Sequence, residues 1–186
     1  MSTRDRATGK GIRIRRATPD DLAGMARVHV QTWKTTYRGI VPDTYLDALT
    51  VESDIARGFG RWLREPKEGW IYFVATTPSE EIVGFAVGGP SREMDPEFTG
   101  ELGAIYVLKT HQGRGVGHAL VREIARHLQM IGHDSMFVWV LEQNPYRRFY
   151  EELGGAAVRQ RVATVAGSQL PEVAFAWTDL RELSGY

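Results

Sequence analysis

Ile12 and Ile14 alternate with Arg13 and Arg15, the two-residue period of a strand with one buried face. Thr18 then offers a helix cap, Pro19 suits the first helical position, and Asp20 and Asp21 favour the first turn. Leu22, Met25, Ala26, His29 and Trp33 follow at helical spacing until Gly39 and Pro42 interrupt it. Short helices are predicted over about 43–49 and 53–64. Ile55, Phe59, Trp62 and Leu63 form the second one's stripe, and Gly58 and Gly60 work against it. Strands at about 70–76 and 82–88 flank a turn at Pro78 to Glu80, which predicts an antiparallel hairpin. A polar loop with Gly89, Pro90, Asp95 and Pro96 leads to Glu101 and a strand at 102–108. After a glycine-rich turn, Val116, Leu120, Ile124, Leu128 and Ile131 repeat every three to four residues and predict a helix over 116–130. Met136 to Leu141 is apolar throughout, the pattern of a strand covered on both faces. A helix at 145–153 ends at Gly154 and Gly155, and strands at 158–165 and 173–177 close the chain as a hairpin around Gly167 and Ser168.

No linker, repeat or low-complexity stretch divides the 186 residues, so one domain over residues 11–186 is expected, preceded by a flexible polar tail at 1–10. Lysine plus arginine (23) balance aspartate plus glutamate (23), which argues against charge-driven binding to nucleic acid or anionic membrane. The absence of cysteine excludes disulfides, thiolate metal sites and a cysteine nucleophile. Neither a secretory leader nor a run of about 20 apolar residues is visible, so a cytoplasmic location is expected. His29, His111, His118, His127 and His133 form no helix-spaced pair and have no obvious acidic partner, so no metal is expected. A Gly-x-Ser-x-Gly elbow for a serine nucleophile is also lacking.

The chemistry concentrates in Gln112-Gly113-Arg114-Gly115-Val116-Gly117-His118, between a predicted strand and a predicted helix. Glycines let backbone amides approach a bound group, and the helix start adds unpaired N–H groups and a positive dipole end. Such a site suits a phosphate or pyrophosphate, and Arg114 adds a full charge. No lysine follows the glycines, so the run is not a P-loop. From Gly113 the third glycine position is His118, and from Gly115 it is Leu120, so it is not a dinucleotide fingerprint either. A plain glycine turn joining two elements remains the alternative.

Gln112, Gly115 and Gly117 together resemble the Gln/Arg-x-x-Gly-x-Gly/Ala motif of the GNAT superfamily of acetyl-CoA-dependent N-acetyltransferases. The preceding strand, Glu101 to Val107, is similar in spacing to the family strand that carries a glutamate. Asn144-Pro145-Tyr146-Arg147-Arg148-Phe149-Tyr150 looks like the family's asparagine-to-Phe-Tyr helix, one residue shorter than its commonest form. The resemblance spans about nine-tenths of the chain. It implies an α/β (α+β) three-layer domain with a mixed, mostly antiparallel sheet of six to seven strands, flanked by helices and splayed at its centre.

The same resemblance implies an acetyl-CoA cosubstrate, no metal, and direct transfer of acetyl to a primary amine of a small molecule or peptide in a ternary complex. Glu101 is the expected base, acting through a water, and Tyr150 the expected acid toward the leaving thiolate. Gln112, Gly113, Arg114, Gly115, Val116, Gly117 and His118 would hold the pyrophosphate. Ile105, Tyr106 and Val107 would flank the pantetheine arm through main-chain groups, and Asn144 would contact it. The aromatic-rich stretch with Trp33, Tyr37, Tyr45, Trp62 and Trp70 would shape the acceptor pocket, although spacing alone assigns Trp33 and Trp62 to the core. Many members form homodimers, and one is compatible with this chain. A CoA-binding sensor that has lost transfer, or a structural domain, fits the same residues.

Overall fold

The computed structural model describes residues 6–7, 11–57, 59–65 and 67–184. Of the tail expected at 1–10, residues 1–5 and 8–10 lie outside the described residues, while Arg6–Ala7 form a two-residue strand, β1. β2 (Arg13–Arg16) pairs antiparallel with it. A short turn at Pro19–Asp21 feeds α1 (Leu22–Thr36), and Arg15 grips the Asp21 carboxylate with both terminal nitrogens at 2.7 and 2.8 Å. α2 (Asp43–Ala48) follows. The single helix expected over 53–64 is two, α3 (Val51–Ala56) and α4 (Arg61–Arg64). The break comes before Gly60, whose left-handed backbone (φ 67°) starts the second piece, a conformation that favours glycine.

β3 (Ile71–Thr76), β4 (Ile82–Pro90) and β5 (Gly100–Val107) form an antiparallel meander. α5 (Val116–Met130) has the extent its periodicity predicted and ends at Gly132, φ 90°. β6 (Met136–Leu141), α6 (Arg148–Glu152), β7 (Ala156–Val165), β8 (Ser168–Trp177) and α7 (Arg181–Ser184) complete the order. The open sheet runs β1-β2-β3-β4-β5-β6-β8-β7, eight strands with the two-residue β1 and seven without it.

Helices cover both faces. On one side α1 lies against β5, with His29 edge-on to Tyr106 at 4.9 Å, and Tyr106 beside its cross-strand partner Phe85 at 5.3 Å. Gly88 lies three residues beyond Phe85 and so faces the other way. There a Cβ would sit 2.5 Å from Ile124 of α5, so the helix packs directly on bare backbone. β4 is buried over all but its last residue, as a strand between two helical layers must be. A second, smaller core of Val30, Val41, Leu46, Leu49 and Leu141 seats α2 against the end of β6.

The sheet is weakly joined at its centre. β5 and β6 are parallel neighbours, paired only at Gly100 with Met136 and at Glu101 with Phe137. The register on the β4 side slips at the same place: Gly88 pairs with Leu102 and Val87 with Ala104, which leaves Gly103 as a bulge. A bulge bends a strand and sharpens its twist. Glycine is needed there because a Cβ would meet the Trp70 ring at 2.8 Å. β5 therefore bends away from β6, and the two strands open into a V.

Candidate active site

The V is the wall of a cavity of about 660 Å³. Residues 103–107 of β5 and 138–141 of β6 form its sides, and the turn after β5 and α6 close one end. Beyond Glu101, β5 has no strand on its β6 side, and beyond Phe137, β6 has none on its β5 side. Main-chain groups of Ile105 and Val107 thus border a gap instead of a ladder, while those of Tyr106 between them face its partner Phe85 on β4, and Gln112 reaches back so that its Nε2 donates to the Val107 carbonyl at 3.0 Å.

At the closed end the chain turns through Gly113 (φ 65°) and Gly115 (φ 79°), both left-handed and both with open space where a Cβ would be. Among the described residues, no backbone acceptor takes the N–H groups of residues 113–118; the first α5 amide to find one is Ala119, bonded to the Gly115 carbonyl at 3.0 Å. Six N–H groups without a backbone acceptor thus lie in succession through the turn and the first residues of a 15-residue helix, at the positive end of its dipole. Val116 adds only its backbone, because its side chain is buried in the core, and the Arg114 side chain is exposed beside the turn. Gly117 lets α5 approach α6 closely: a Cβ there would lie 3.0 Å from the Phe149 ring, which His118 also meets edge-on.

The opposite end is built of side chains. Trp33 and Tyr37 from the last turns of α1 line it, so Trp33, read from its spacing as core, is a cavity residue. Its Nε1 donates to the Tyr106 hydroxyl at 3.1 Å, and burial pushes the Tyr106 phenol up to about 12. The Trp62 side chain lies outside what the structure describes. Tyr150 is buried against Phe175, with ring centroids 5.7 Å apart, and also lines the cavity; burial drives its phenol well above the ordinary tyrosine range. Asn144 lies in the cavity wall with both ends of its amide engaged. Oδ1 accepts from the Tyr146 N–H at 2.8 Å, and Nδ2 donates to the Tyr37 hydroxyl at 3.2 Å. That side-chain turn occupies residues 144–147, so α6 begins at Arg148 and not at 145.

Glu101 does not join this group. It is 2% exposed at the closed seam of β5 and β6, outside the residues that line the cavity. Its carboxylate accepts from the Arg92 Nε at 3.0 Å, from the Arg92 backbone N–H at 3.0 Å and from the Arg92 terminal nitrogen. Arg92 in turn covers the Trp70 ring that packs on Gly103. Expected as a base, Glu101 is placed to brace the bulge, because its acceptor lone pairs are already spent.

Two groups were invisible in the sequence. His29 does have an acidic partner, Asp54, whose Oδ2 lies 2.7 Å from Nδ1; the two are 25 residues apart on different helices. Glu172 of β8, opposite Leu141, lines the cavity with its side chain 13% exposed. The predicted strand started one residue too late to include it. Among the described residues no cluster of His, Asp and Glu could hold a metal ion, and no helix is long and apolar enough to cross a membrane.

Known proteins share this fold. A family model described as FR47-like protein matches residues 93–163, from the loop before β5 into β7. The chain is 37% identical over 172 residues to the uncharacterized N-acetyltransferase YuaI of Bacillus subtilis, which covers 92% of this chain and 96% of that one. The GNAT superfamily phosphinothricin acetyltransferase of Sinorhizobium meliloti, solved with acetyl-CoA, superposes with a TM-score of 0.66 over 90% of this chain and 88% of its own at 20% identity. The PaiA N-acetyltransferase of Thermoplasma acidophilum, solved with coenzyme A, gives 0.62 over 87% and 97% at 18% identity. A relative of that identity and coverage shows that the chain belongs to the N-acetyltransferases and is an acyltransferase, and the solved structures show that its fold is that of the GNAT superfamily.

Proposed function

We propose that this protein transfers the acetyl group of acetyl-CoA directly to a primary amine within a ternary complex. The observation that carries the reading is the junction of two features: six free N–H groups at the start of α5, and beside them a cleft between two strands whose facing edges are unpaired. The first fits a pyrophosphate and the second an extended arm bearing amides. The fit is sterically supported, since Gly113 and Gly115 leave empty the space where side chains would intrude. The amides of residues 113–118 hold the diphosphate, with Arg114 as an added positive charge. Ile105 and Val107 offer main-chain partners to the arm, and Tyr106 its side chain. Gln112 and Asn144 work indirectly, Gln112 by fixing the Val107 carbonyl and Asn144 by fixing Tyr37.

In the reaction a carbon–nitrogen bond forms and the thioester carbon–sulfur bond breaks. The acceptor ammonium first gives one proton to solvent, which exposes its lone pair. After attack the new amide nitrogen sheds a second proton, and the departing thiolate takes one up. Tyr150 is the acid for that last step. Burial keeps its phenol protonated throughout the neutral range, and its ring lines the cleft. Holding both substrates in one cavity supplies the entropic part of the acceleration.

Isothermal titration with acetyl-CoA tests the binding half, and thiol release across a panel of amines tests the transfer half. Micromolar binding with thiol release in the presence of an amine is the expected result. No heat at millimolar acetyl-CoA would overturn the reading, and binding without release from any amine would reduce the protein to a CoA-binding domain.

A further inference from the structure

With the cavity read as an acetyl-transfer site, the reading on which this inference rests, the wall built of side chains carries a charge pattern that bears on the acceptor. Trp33, Tyr37 and Tyr106 make this wall aromatic, and among the described residues no lysine or arginine side chain lines the cavity anywhere. Of its two carboxylates, Glu152 is 57% exposed and tied to Arg148, whereas the Glu172 side chain is 13% exposed. Glu172 stands on β8 beside Leu141, on a different element from the anion-seeking amides.

The Glu172 charge is only half answered by protein. Its Oε2 accepts from Arg161 Nε at 2.7 Å, while Oε1 accepts no hydrogen bond among the described residues. Arg161 is itself shared: its terminal nitrogen bonds Glu93 at 2.6 Å, and its guanidinium lies 4.0 Å above the Trp139 ring. Two carboxylates face one guanidinium, so the cluster keeps one net negative charge at the cavity wall. A partly dried carboxylate beside aromatic faces attracts cations and repels anions.

We propose that the acceptor is an amine carrying a second positive charge, and that Glu172 docks this second ammonium group while the first is acetylated. Aromatic rings complete the pocket for the cation. An α-amino acid or another acceptor ending in a carboxylate would bring like charge to Glu172 with no cavity cation to receive it.

Three acceptors of matched length test the proposal: 1,5-diaminopentane, 1-aminopentane and 5-aminopentanoate, compared by kcat/KM for thiol release at fixed acetyl-CoA. The expected order is diamine, then monoamine, then amino acid, with about tenfold between the first two, the ordinary worth of one charge-assisted hydrogen bond. Glu172→Gln, which keeps the size and one acceptor for Arg161, should raise KM for the diamine about tenfold and for the monoamine much less. Glu172→Asp should recover part of the preference, which a merely structural role would not do. Equal kcat/KM for the three acceptors, an equal loss for all three in Glu172→Gln, or no turnover of any of them would each overturn the proposal. Calorimetry with acetyl-CoA on the same samples separates this failure from that of the broader reading, since retained cofactor binding leaves the latter standing.

Discussion

The two ends of the cavity are made in different ways. The end at the start of α5 is made of backbone from seven consecutive residues, 112–118. The end at Trp33, Tyr37, Tyr106 and Glu172 is made of side chains from α1, β5 and β8, brought together from across the chain. Peptide N–H groups are the same whatever the sequence, so a backbone site can serve one unchanging ligand with nothing fixed but its glycines. A side-chain site can be retuned by single substitutions without disturbing its neighbour. On the proposed reading, the contrast makes cofactor and acceptor recognition separable, both in space and in the kind of mutation that harms them.

The largest effect should come from the backbone end. Gly115→Glu puts a carboxylate among six N–H groups where no heavy atom stands within 4 Å of the new Cβ. The left-handed φ of 79° makes it cost about 1–2 kcal/mol of stability. Calorimetry should show acetyl-CoA affinity reduced by at least about a hundredfold in a protein that still melts cooperatively; unchanged affinity would break the cradle half of the comparison. Next is Tyr150→Phe, which should lower kcat about 10–100-fold in steady-state assays while the KM for acetyl-CoA barely moves. Because burial raises the Tyr150 phenol, the acid stays protonated as pH climbs, so the kcat profile of the native enzyme should show no alkaline fall below about pH 10.

A smaller effect is expected of Trp33→Phe, which removes the donor to the Tyr106 hydroxyl and leaves it buried. An increase of about fivefold in KM for the amine, with acetyl-CoA affinity unaltered, would sharpen the separation of the two ends. The smallest change in turnover belongs to Glu101→Gln. That variant should lose about 1–3 kcal/mol in thermal or urea unfolding, since it weakens the brace on Arg92, and should keep the shape of the pH–rate profile. A lost acid limb in that profile would return Glu101 to the role of base.

The backbone end was also the more legible. Its glycines, the flanking strand and the amphipathic repeat of α5 lie in one stretch, and the extents of α5 and β6 follow their apolar periods residue by residue. Tyr150 sat in a local motif and does line the cavity. Legibility stopped where structure depends on partners distant in the chain. Glu101 matched a motif, but Arg92 claims it, and nothing nine residues upstream announced that pairing. His29 meets Asp54 only because α1 and α3 pack together. Glu172 fell just outside the predicted final strand, whose real start is at Ser168. One signal was present and unused: Gly103, an isolated glycine inside an apolar strand, marks the bulge that opens the sheet.

That bulge has a consequence for what can occupy the gap. Past the two paired residues at its root, each strand keeps hydrogen-bonding capacity that an unbroken sheet would have consumed, and solvent satisfies it when the gap is empty. A guest that expels this solvent without offering peptide-like groups of its own strands those donors and acceptors, at about 1–3 kcal/mol for each one left dry. A bare alkyl thioester is therefore a poor guest even when its reactive carbon is identical. On the proposed reading, the gap sorts acyl carriers by the amides spaced along their tails, before any side chain is consulted.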